Sequence, residues 1–439
     1  MALFHTVSIL VAVAALFAYI NIRFIKLPTS IGIMVIGLLF SLAVLIAEPY
    51  FPGFADEAIV TVQSIDFTQF LLEIILSFLL FAGAYHLDTK ALLKEKGTVI
   101  LTAVLGTIIS TFIVAYAFYL VVNLLPGLEI SFIHALLFGA LISPTDPIAV
   151  LAILQRVGAP KDLEINIAGE SLFNDGIAVV IFISVFEVAN GKSPSIESFG
   201  ILFIQEALGG IALGLLLGGV ARKLMSTIDN HVVEVLITLA VVISGYSLAS
   251  ALHISGPLAM VAAGLFISSP YEVVEGQRRM LSNKTEEYLH KFWEMVDELL
   301  NAFLFMLIGL ELLVIPFERR FWVLGLASIV IVLVGRAVAL AFPIIFGSIR
   351  SYGFRRVLTV LTWGGLKGGI SVALALSLND SMSRDLIVTV TYIIVVFSII
   401  IQGLTIQPLL QKLGLSSHKP KDEAHVDTVE DQSSISSTL

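Results

Sequence analysis

Long apolar runs constrain the fold of this chain more than any other feature of its sequence. Thirteen runs follow one another, and most have about the 20 residues with which a helix crosses a bilayer, or more. Because lipid admits only helices and closed barrels, runs of this length predict an all-α polytopic membrane protein with about 13 transmembrane helices. The candidate spans are, in order, residues 5–22, 29–47, 67–86, 98–123, 131–155, 165–188, 199–221, 232–251, 255–270, 293–314, 321–346, 357–378 and 386–411.

The composition agrees with a membrane protein and excludes several functions. Only 13% of the 439 residues are charged, whereas soluble domains carry about 25%. The absence of cysteine excludes disulfides, thiol catalysis and cysteine-ligated metals, and nothing in the chain indicates nucleic acid binding or a cofactor. We expect one transmembrane domain over residues 1–415. The tail 416–439, rich in Ser, Asp and Glu and without aromatics, is predicted to be disordered.

The loops between the runs carry their positive charge on alternate sides. If the N-terminus lies outside, 19 of the 25 Lys and Arg residues fall on the inner side and four in outer loops. Cytoplasmic loops of membrane proteins carry such an excess. The bias predicts a multi-pass protein of the cell (inner) membrane with its N-terminus outside and its C-terminus in the cytoplasm.

The sixth run, 165–188, contains a cluster of polar residues. Glu170, Ser171, Asn174 and Asp175 fall on one face of a helix, because their spacings match the helical repeat. Ionisable groups are costly in hydrocarbon and usually face a cavity or a partner. Carboxylate, amide and hydroxyl oxygens suit a hard cation. A buried polar network that only fixes helix packing is the alternative.

Prolines interrupt the fifth run at Ser143-Pro144-Thr145-Asp146-Pro147. Proline removes a helical hydrogen bond and disfavours helix in the residue before it. Asp146 followed by Pro147 is typical of an N-cap and first-turn pair, so a half-helix is predicted to begin there. Broken backbone at membrane depth lines a cavity. We therefore expect Asp146 to face an ion site, although capping alone would also explain it.

Four glycines around Lys367 predict a second break, in the twelfth run. The ammonium there can neutralise the carbonyl-rich ends of half-helices; the alternative is a glycine-rich packing interface with a snorkelling lysine. The two breaks lie seven spans apart, and an odd offset gives opposite orientations. Paired breaks of this kind indicate an inverted-repeat transporter with two crossed broken helices and a midplane site.

Two further ionisable residues lie within spans. Arg336, in the eleventh run, needs an acidic partner at its depth, for which Glu170 and Asp175 are the candidates; the alternative is that it snorkels to the surface. Glu73, in the third run, either lines a funnel or packs beside a polar neighbour.

At these residues the chain resembles the NhaP-type sodium–proton antiporters, a branch of the monovalent cation:proton antiporters related to the animal sodium–proton exchangers. The resemblance covers about residues 5–411. It rests on the motifs Ser143-Pro144-Thr145-Asp146-Pro147, Gly169-Glu170-Ser171-Leu172-Phe173-Asn174-Asp175-Gly176, Phe303-Leu304-Phe305-Met306-Leu307-Ile308-Gly309-Leu310-Glu311, Gly335-Arg336 and Trp363-Gly364-Gly365-Leu366-Lys367-Gly368-Gly369.

The resemblance implies a homodimer of 13-helix subunits, in which a core bundle (about 98–188 and 321–411) moves against a dimerisation scaffold. It implies that Asp175 binds the cation and the proton, and that Asp146, Thr145 and Ser171 support coordination of Na⁺. It further implies that Asn174, Glu170 and Arg336 hold the site together, with Arg336 paired to Glu170.

Two positions bear on the mechanism within that family. Many members have Arg where this chain has Lys367, and a desolvated lysine can lose its proton whereas arginine cannot. A proton-carrying Lys367 is therefore left open. The Asn174-Asp175 pair resembles the electroneutral branch, whereas an Asp-Asp pair marks the electrogenic one.

The sequence thus favours an antiporter, not an enzyme, that exchanges Na⁺, and also Li⁺, for H⁺. K⁺/H⁺ exchange is the alternative within the family, because the ligands alone do not set the ion size. An intramembrane aspartyl protease is the remote alternative. It needs a Tyr-Asp and a Gly-x-Gly-Asp arrangement, whereas here the aspartates follow Thr145 and Asn174.

Overall fold

The computed structural model describes residues 2–51, 53, 59, 70–191, 196–269, 283–316, 318–346 and 348–416. Secondary structure in this part of the chain is helical, apart from one isolated β-bridge. The all-α class predicted from the apolar runs is confirmed. The predicted tail lies outside the described residues, except for residue 416.

The helices vary widely in length. They are α1 (Ala2–Ile20), α2 (Thr29–Ala47), α3 (Leu76–His86), α4 (Thr89–Ile100), α5 (Thr107–Leu124), α6 (Phe132–Ile142), α7 (Ile148–Val157), α8 (Lys161–Ala189), α9 (Ile196–Met225), α10 (His231–Ala251), α11 (Gly256–Ser268), α12 (Asn283–Leu310), α13 (Arg319–Phe346), α14 (Phe354–Trp363), α15 (Gly369–Leu376), α16 (Arg384–Phe397) and α17 (Gly403–Lys412). Short 3₁₀ segments cover Glu311–Leu313, Ser348–Tyr352 and Asp380–Met382.

Wider π-helical turns extend or join several helices. They cover Asn21–Ile25 after α1, Phe70–Ile75 before α3, Leu101–Gly106 between α4 and α5, and Ser398–Gln402 between α16 and α17. The last two make α4–α5 and α16–α17 continuous rods. Such turns in membrane helices often accompany functional sites, and the 398–402 turn lies beside the site described below.

Each predicted span contains a helix, and the fifth and twelfth spans are both divided into two short ones. Within the described residues, eight helical rods are long and apolar enough to cross a membrane: Ser8–Ile25, Thr29–Ala47, Thr89–Leu124, Lys161–Ala189, Phe203–Met225, His231–Ala251, Arg319–Ile345 and Arg384–Lys412. Large apolar side chains such as Leu16, Leu236 and Leu326 are more than half exposed. The protein is therefore a multi-pass membrane protein, and 13 crossings remain a prediction.

Some helices begin earlier than the apolar runs predict. Asp88 accepts hydrogen bonds from the backbone N–H groups of Lys90 and Ala91, and this N-cap starts α4 at Thr89 rather than near residue 98. Helix α12 begins at Asn283, ten residues before the apolar run, and carries an exposed Glu287–Lys291 pair one turn apart. Caps and charged turns extend these helices beyond their hydrophobic segments.

Helix α8 is the organising element of the interior. It packs against α4, α6 and α11, while α13 packs against α5 and α16. About two-thirds of α8 is buried, including the polar face that carries Glu170 and Asp175. The broken pair α6–α7 reaches the other broken pair, α14–α15, through contacts of α6 with α15, while α7 packs on α17.

Candidate ion-binding site

The two broken spans meet through their unwound segments. The backbone N–H of Asp146, in the 143–147 break, donates a 2.8 Å hydrogen bond to the carbonyl of Leu366, in the 364–368 break. These residues form an antiparallel bridge. Backbone groups freed by unwinding need such partners at membrane depth. Each unwound segment therefore supplies a hydrogen-bond partner for a backbone group of the other.

Opposite charges lie at the two half-helix ends beside this bridge. Asp146 accepts a 3.0 Å hydrogen bond from the N–H of Ile148, at the start of α7. Lys367 donates from its ammonium group to the carbonyls of Ser143 (3.0 Å) and Pro144 (3.1 Å), just past the end of α6. Both arrangements oppose the helix dipole favourably. Because Lys367 is only 2% exposed, it does not snorkel.

The π-helical turn after α16 supplies two partners that sequence reasoning missed. The hydroxyl of Ser398 accepts a 2.8 Å hydrogen bond from the N–H of Lys367. The side-chain amide of Gln402 donates to the carbonyl of Trp363 at 2.9 Å. Their only sequence signal is two polar residues four apart in an apolar run.

Two glycines in the second break make room for charged side chains. A Cβ atom on Gly368 would lie 2.5 Å from the nearer carboxylate oxygen of Asp146. A Cβ on Gly365 would overlap the guanidinium group of Arg336. Any larger residue must displace those side chains, so the glycine-rich break fixes the positions of both charges.

Helix α8 holds the first break through its polar face. Asn174 donates to the hydroxyl of Thr145 at 2.9 Å and accepts from its N–H at 3.3 Å. The hydroxyls of Thr145 and Ser171 are 2.9 Å apart. All three side chains are at least 97% buried. Asn174 and Ser171 therefore hold the Thr145 hydroxyl at a defined position against α8.

The carboxylate of Asp175 lies beside this contact and is 7% exposed. It interacts electrostatically with Asp146, which repels it, and with Lys367, which attracts it. Among the described residues, no hydrogen bond or ion pair occupies its oxygens. The oxygen donors of Asp175, Asp146, Thr145 and Ser171 are of the kind that a hard cation prefers, and their role as its ligands stays a prediction. No group of three or more His, Asp or Glu residues with metal-binding geometry exists in the described part.

Arg336 forms an ion pair with Glu170, the first of its two candidate partners. The Arg336 Nη2 and Glu170 Oε1 atoms are 2.9 Å apart, and both side chains are buried. Arg336 also donates from Nε to the carbonyl of Leu361 at 2.9 Å. Because Arg336 is 6% exposed, the snorkelling alternative is wrong. A small cavity lined by Ser110, Ser143, Glu170 and Arg336 adjoins the pair.

Two further acidic residues, Glu73 and Asp297, bear on the site. The side chain of Glu73 lies outside the described residues, so its role as a funnel residue stays a prediction. Asp297, on α12, interacts electrostatically with Asp146. No feature of its sequence context distinguishes Asp297, because it stands among other charged residues near the start of an apolar run.

The chain is similar to known sodium/proton antiporters. The family profile described as "Sodium/hydrogen exchanger, transmembrane" matches residues 11–412. The chain is 44% identical over 424 residues to the Na⁺/H⁺ antiporter NhaP of Pseudomonas aeruginosa, covering 95% of this chain and 98% of that protein. It is 34% identical over 398 residues to the Na⁺/H⁺ antiporter NhaH of Halobacillus dabanensis, covering 90% and 94%.

A solved structure has the same fold. The sodium proton antiporter MjNhaP1 of Methanocaldococcus jannaschii at pH 8 superposes with a TM-score of 0.72 at 20% sequence identity, covering 94% of this chain and 99% of that one. The matching profile and the NhaP and NhaH relatives each cover most of the chain. The protein therefore belongs to the sodium/hydrogen exchanger family, and within it to the NhaP-type antiporters.

Proposed function

We propose that the protein is a secondary active antiporter that exchanges Na⁺, and also Li⁺, for H⁺, without a cofactor. The observation that carries the proposal is the buried carboxylate of Asp175 beside Asp146, where two broken helices meet; no group of the described residues bonds to it. Half-helix ends at such a crossing bind ions in secondary transporters. The names of the NhaP and NhaH relatives, both Na⁺/H⁺ antiporters, support the same activity.

The charges at the breaks favour an electroneutral exchange of one Na⁺ for one H⁺. Three carboxylates (Asp146, Glu170 and Asp175) face two cations (Arg336 and Lys367). With all five ionised, one negative charge remains. One Na⁺ or one proton neutralises it, so both loaded states carry the same charge through the membrane.

Asp175 is the group at which the two substrates compete. Glu170 is paired with Arg336, and Asp146 caps α7. Asp175 is therefore the carboxylate that can bind Na⁺ and H⁺ in turn during the cycle. A bound cation disfavours protonation of this carboxylate, and a bound proton removes the charge that the cation needs. Linkage makes the two effects reciprocal. The Thr145 and Ser171 hydroxyls add cation ligands, and Asn174 keeps Thr145 in place.

Transport requires the site to open alternately to the two sides. We propose that a core bundle, about 98–188 and 321–411, moves against a scaffold formed by the other helices. The scaffold segments Ser8–Ile25 and Phe203–Met225 are only 22% buried. Membrane lipid and a second copy of the chain would cover these apolar faces, which supports a homodimer. The charge bias of the loops supports an N-terminus outside the cell (inner) membrane and a cytoplasmic C-terminus.

Transport in proteoliposomes tests the function. The purified protein is reconstituted with an imposed pH gradient, and internal pH is followed after addition of Na⁺, Li⁺ or K⁺. Na⁺ and Li⁺ are expected to dissipate the gradient with wild-type protein but not with Asp175→Asn. Faster dissipation by K⁺ would instead support K⁺/H⁺ exchange. No response to any of the three ions would reject the antiport proposal.

A further inference from the structure

Helix α12 directs a polar face at the site from outside the two broken spans. Asp297, Asn301 and Leu304 are spaced by four and three residues and therefore share one side of the helix. Leu304 packs so closely on Gly369 that a Cβ atom there would overlap its side chain. At the neighbouring residue, Gly368, an added Cβ atom would meet the carboxylate of Asp146. The face that carries Asp297 is thus directed towards the second break.

Asp297 itself is only partly enclosed by the protein. Its side chain is half-buried, in contrast to that of Asp175. Its electrostatic neighbours include the carboxylates of Asp146 and Glu298, and no basic residue in the described part forms an ion pair with it. Acidic groups without basic partners in a partly desolvated cleft attract cations.

Asn301 provides the second, independent observation. Its side chain is 3% exposed, and neither atom of its amide group has a hydrogen-bond partner in the part of the chain that the structure describes. Its amide meets the carboxylate of Asp297, one turn away, in a contact too loose to count as a hydrogen bond. A buried amide without partners costs stability. Such a group, beside an unpaired acid, is typical of a site that lacks its ligand.

We propose that Asp297 and Asn301 form a second cation site, the vestibule site, through which a partly hydrated monovalent cation reaches Asp146 and Asp175. The proposal rests on the proposed antiport function. The Asp297 carboxylate and the Asn301 carbonyl oxygen supply two hard ligands, and water supplies the others. The ion exchanges part of its hydration shell for these oxygens before it meets the buried carboxylate of Asp175.

If Asn301 is a cation ligand, its replacement has an effect that a purely structural role does not predict. Asn301→Leu removes an unsatisfied buried amide and keeps a similar volume, so the melting temperature should stay the same or rise. The same substitution removes a cation ligand, so the KM for Na⁺ should increase. A side chain that merely supports packing would show a lower melting temperature when it is replaced.

The experiment measures Na⁺-driven exchange in proteoliposomes with Asp297→Asn, Asn301→Leu and, as a matched control, Glu294→Gln, an exposed acid on the same helix. We expect Asp297→Asn to raise the KM for Na⁺ roughly tenfold, with the maximal rate within about twofold. Asn301→Leu should raise KM with an unchanged or higher melting temperature. Glu294→Gln should match the wild type.

Three results would overturn the vestibule site. The first is an unchanged KM for Na⁺ in Asp297→Asn. The second is an equal rise of KM in Glu294→Gln, which would indicate only a general surface-charge effect. The third is a lower melting temperature with unchanged KM in Asn301→Leu. Failure of the proposed function gives a different result, which is no response of proteoliposomes with the wild-type protein to Na⁺, Li⁺ or K⁺. The two failures are therefore distinguishable.

Discussion

The ammonium group of Lys367, in the break between α14 and α15, donates hydrogen bonds to the carbonyls of Ser143 and Pro144, in the break after α6. With the bond from the Asp146 N–H to the Leu366 carbonyl, this contact ties the two unwound segments together. Two of the three ammonium protons are thus bonded to backbone oxygens. We interpret Lys367 as a structural charge that stabilises the crossing, rather than as the carrier of the transported proton.

Substitution of Lys367 tests that interpretation. Lys367→Arg retains a positive donor and should keep the exchange stoichiometry and much of the activity. Lys367→Met leaves two buried carbonyls without their donor, each of which costs about 1–3 kcal/mol, and should lower the melting temperature. Transport stoichiometry and thermal unfolding of both variants are the measurements. An Lys367→Arg variant that is folded but inactive would instead favour a proton-carrying lysine.

The buried pair of Arg336 and Glu170 is expected to show strong coupling. Removal of one partner leaves an uncompensated charge at a cost of about 3–5 kcal/mol. Arg336→Ala also leaves the Leu361 carbonyl without its donor, so it should destabilise more than Glu170→Ala. The double variant should lose less than the sum of the single losses, as measured by unfolding of all three. Strict additivity would contradict the contact.

Gly368 is predicted to be essential for the position of Asp146. The backbone of Gly368 has φ −114°, which other residues adopt, so Gly368→Ala should act only through the contact of its Cβ with the Asp146 side chain. We expect the KM for Na⁺ to rise by roughly tenfold or more. Gly83→Ala is the control, because its Cβ would meet only Leu172, at 3.6 Å. A similar KM in both variants would show that the contact does not position Asp146.

Electroneutral exchange is expected from the single uncompensated charge at the crossing. In liposomes whose membrane potential is clamped with K⁺ and valinomycin, the rate and the equilibrium pH gradient should not change with the potential. Each elementary charge moved would otherwise add about 2.3 kcal/mol per 100 mV. An equilibrium pH gradient that follows the clamped potential would contradict the one-for-one stoichiometry.

The sequence predicted the breaks because their causes are local. Proline at 144 and 147, and the glycines around Lys367, disfavour helix wherever they occur. The polar face of α8 was equally predictable, since the spacing of its polar residues matches the helical repeat. These features also carry the family motifs, so residue chemistry and resemblance led to the same region.

Partners that come together only in three dimensions were less predictable. Depth in the membrane left Arg336 with two candidate acids, Glu170 and Asp175, and only the packing of α13 on its neighbours separates them. Ser398 and Asn301 are isolated polar residues within apolar turns of their helices, a pattern that ordinary helix packing also produces. Their roles depend on which break they face, and that is a property of the tertiary fold.

Competition between Na⁺ and H⁺ at Asp175 is the central claim, and the pH dependence of the KM for Na⁺ tests it most directly. Protonation of Asp175 increases as pH falls, so KM should rise, approaching about tenfold per pH unit where the proton-bound form predominates. The maximal rate at saturating Na⁺ should change little. A KM independent of pH, or robust exchange by a folded Asp175→Asn variant, would contradict the account.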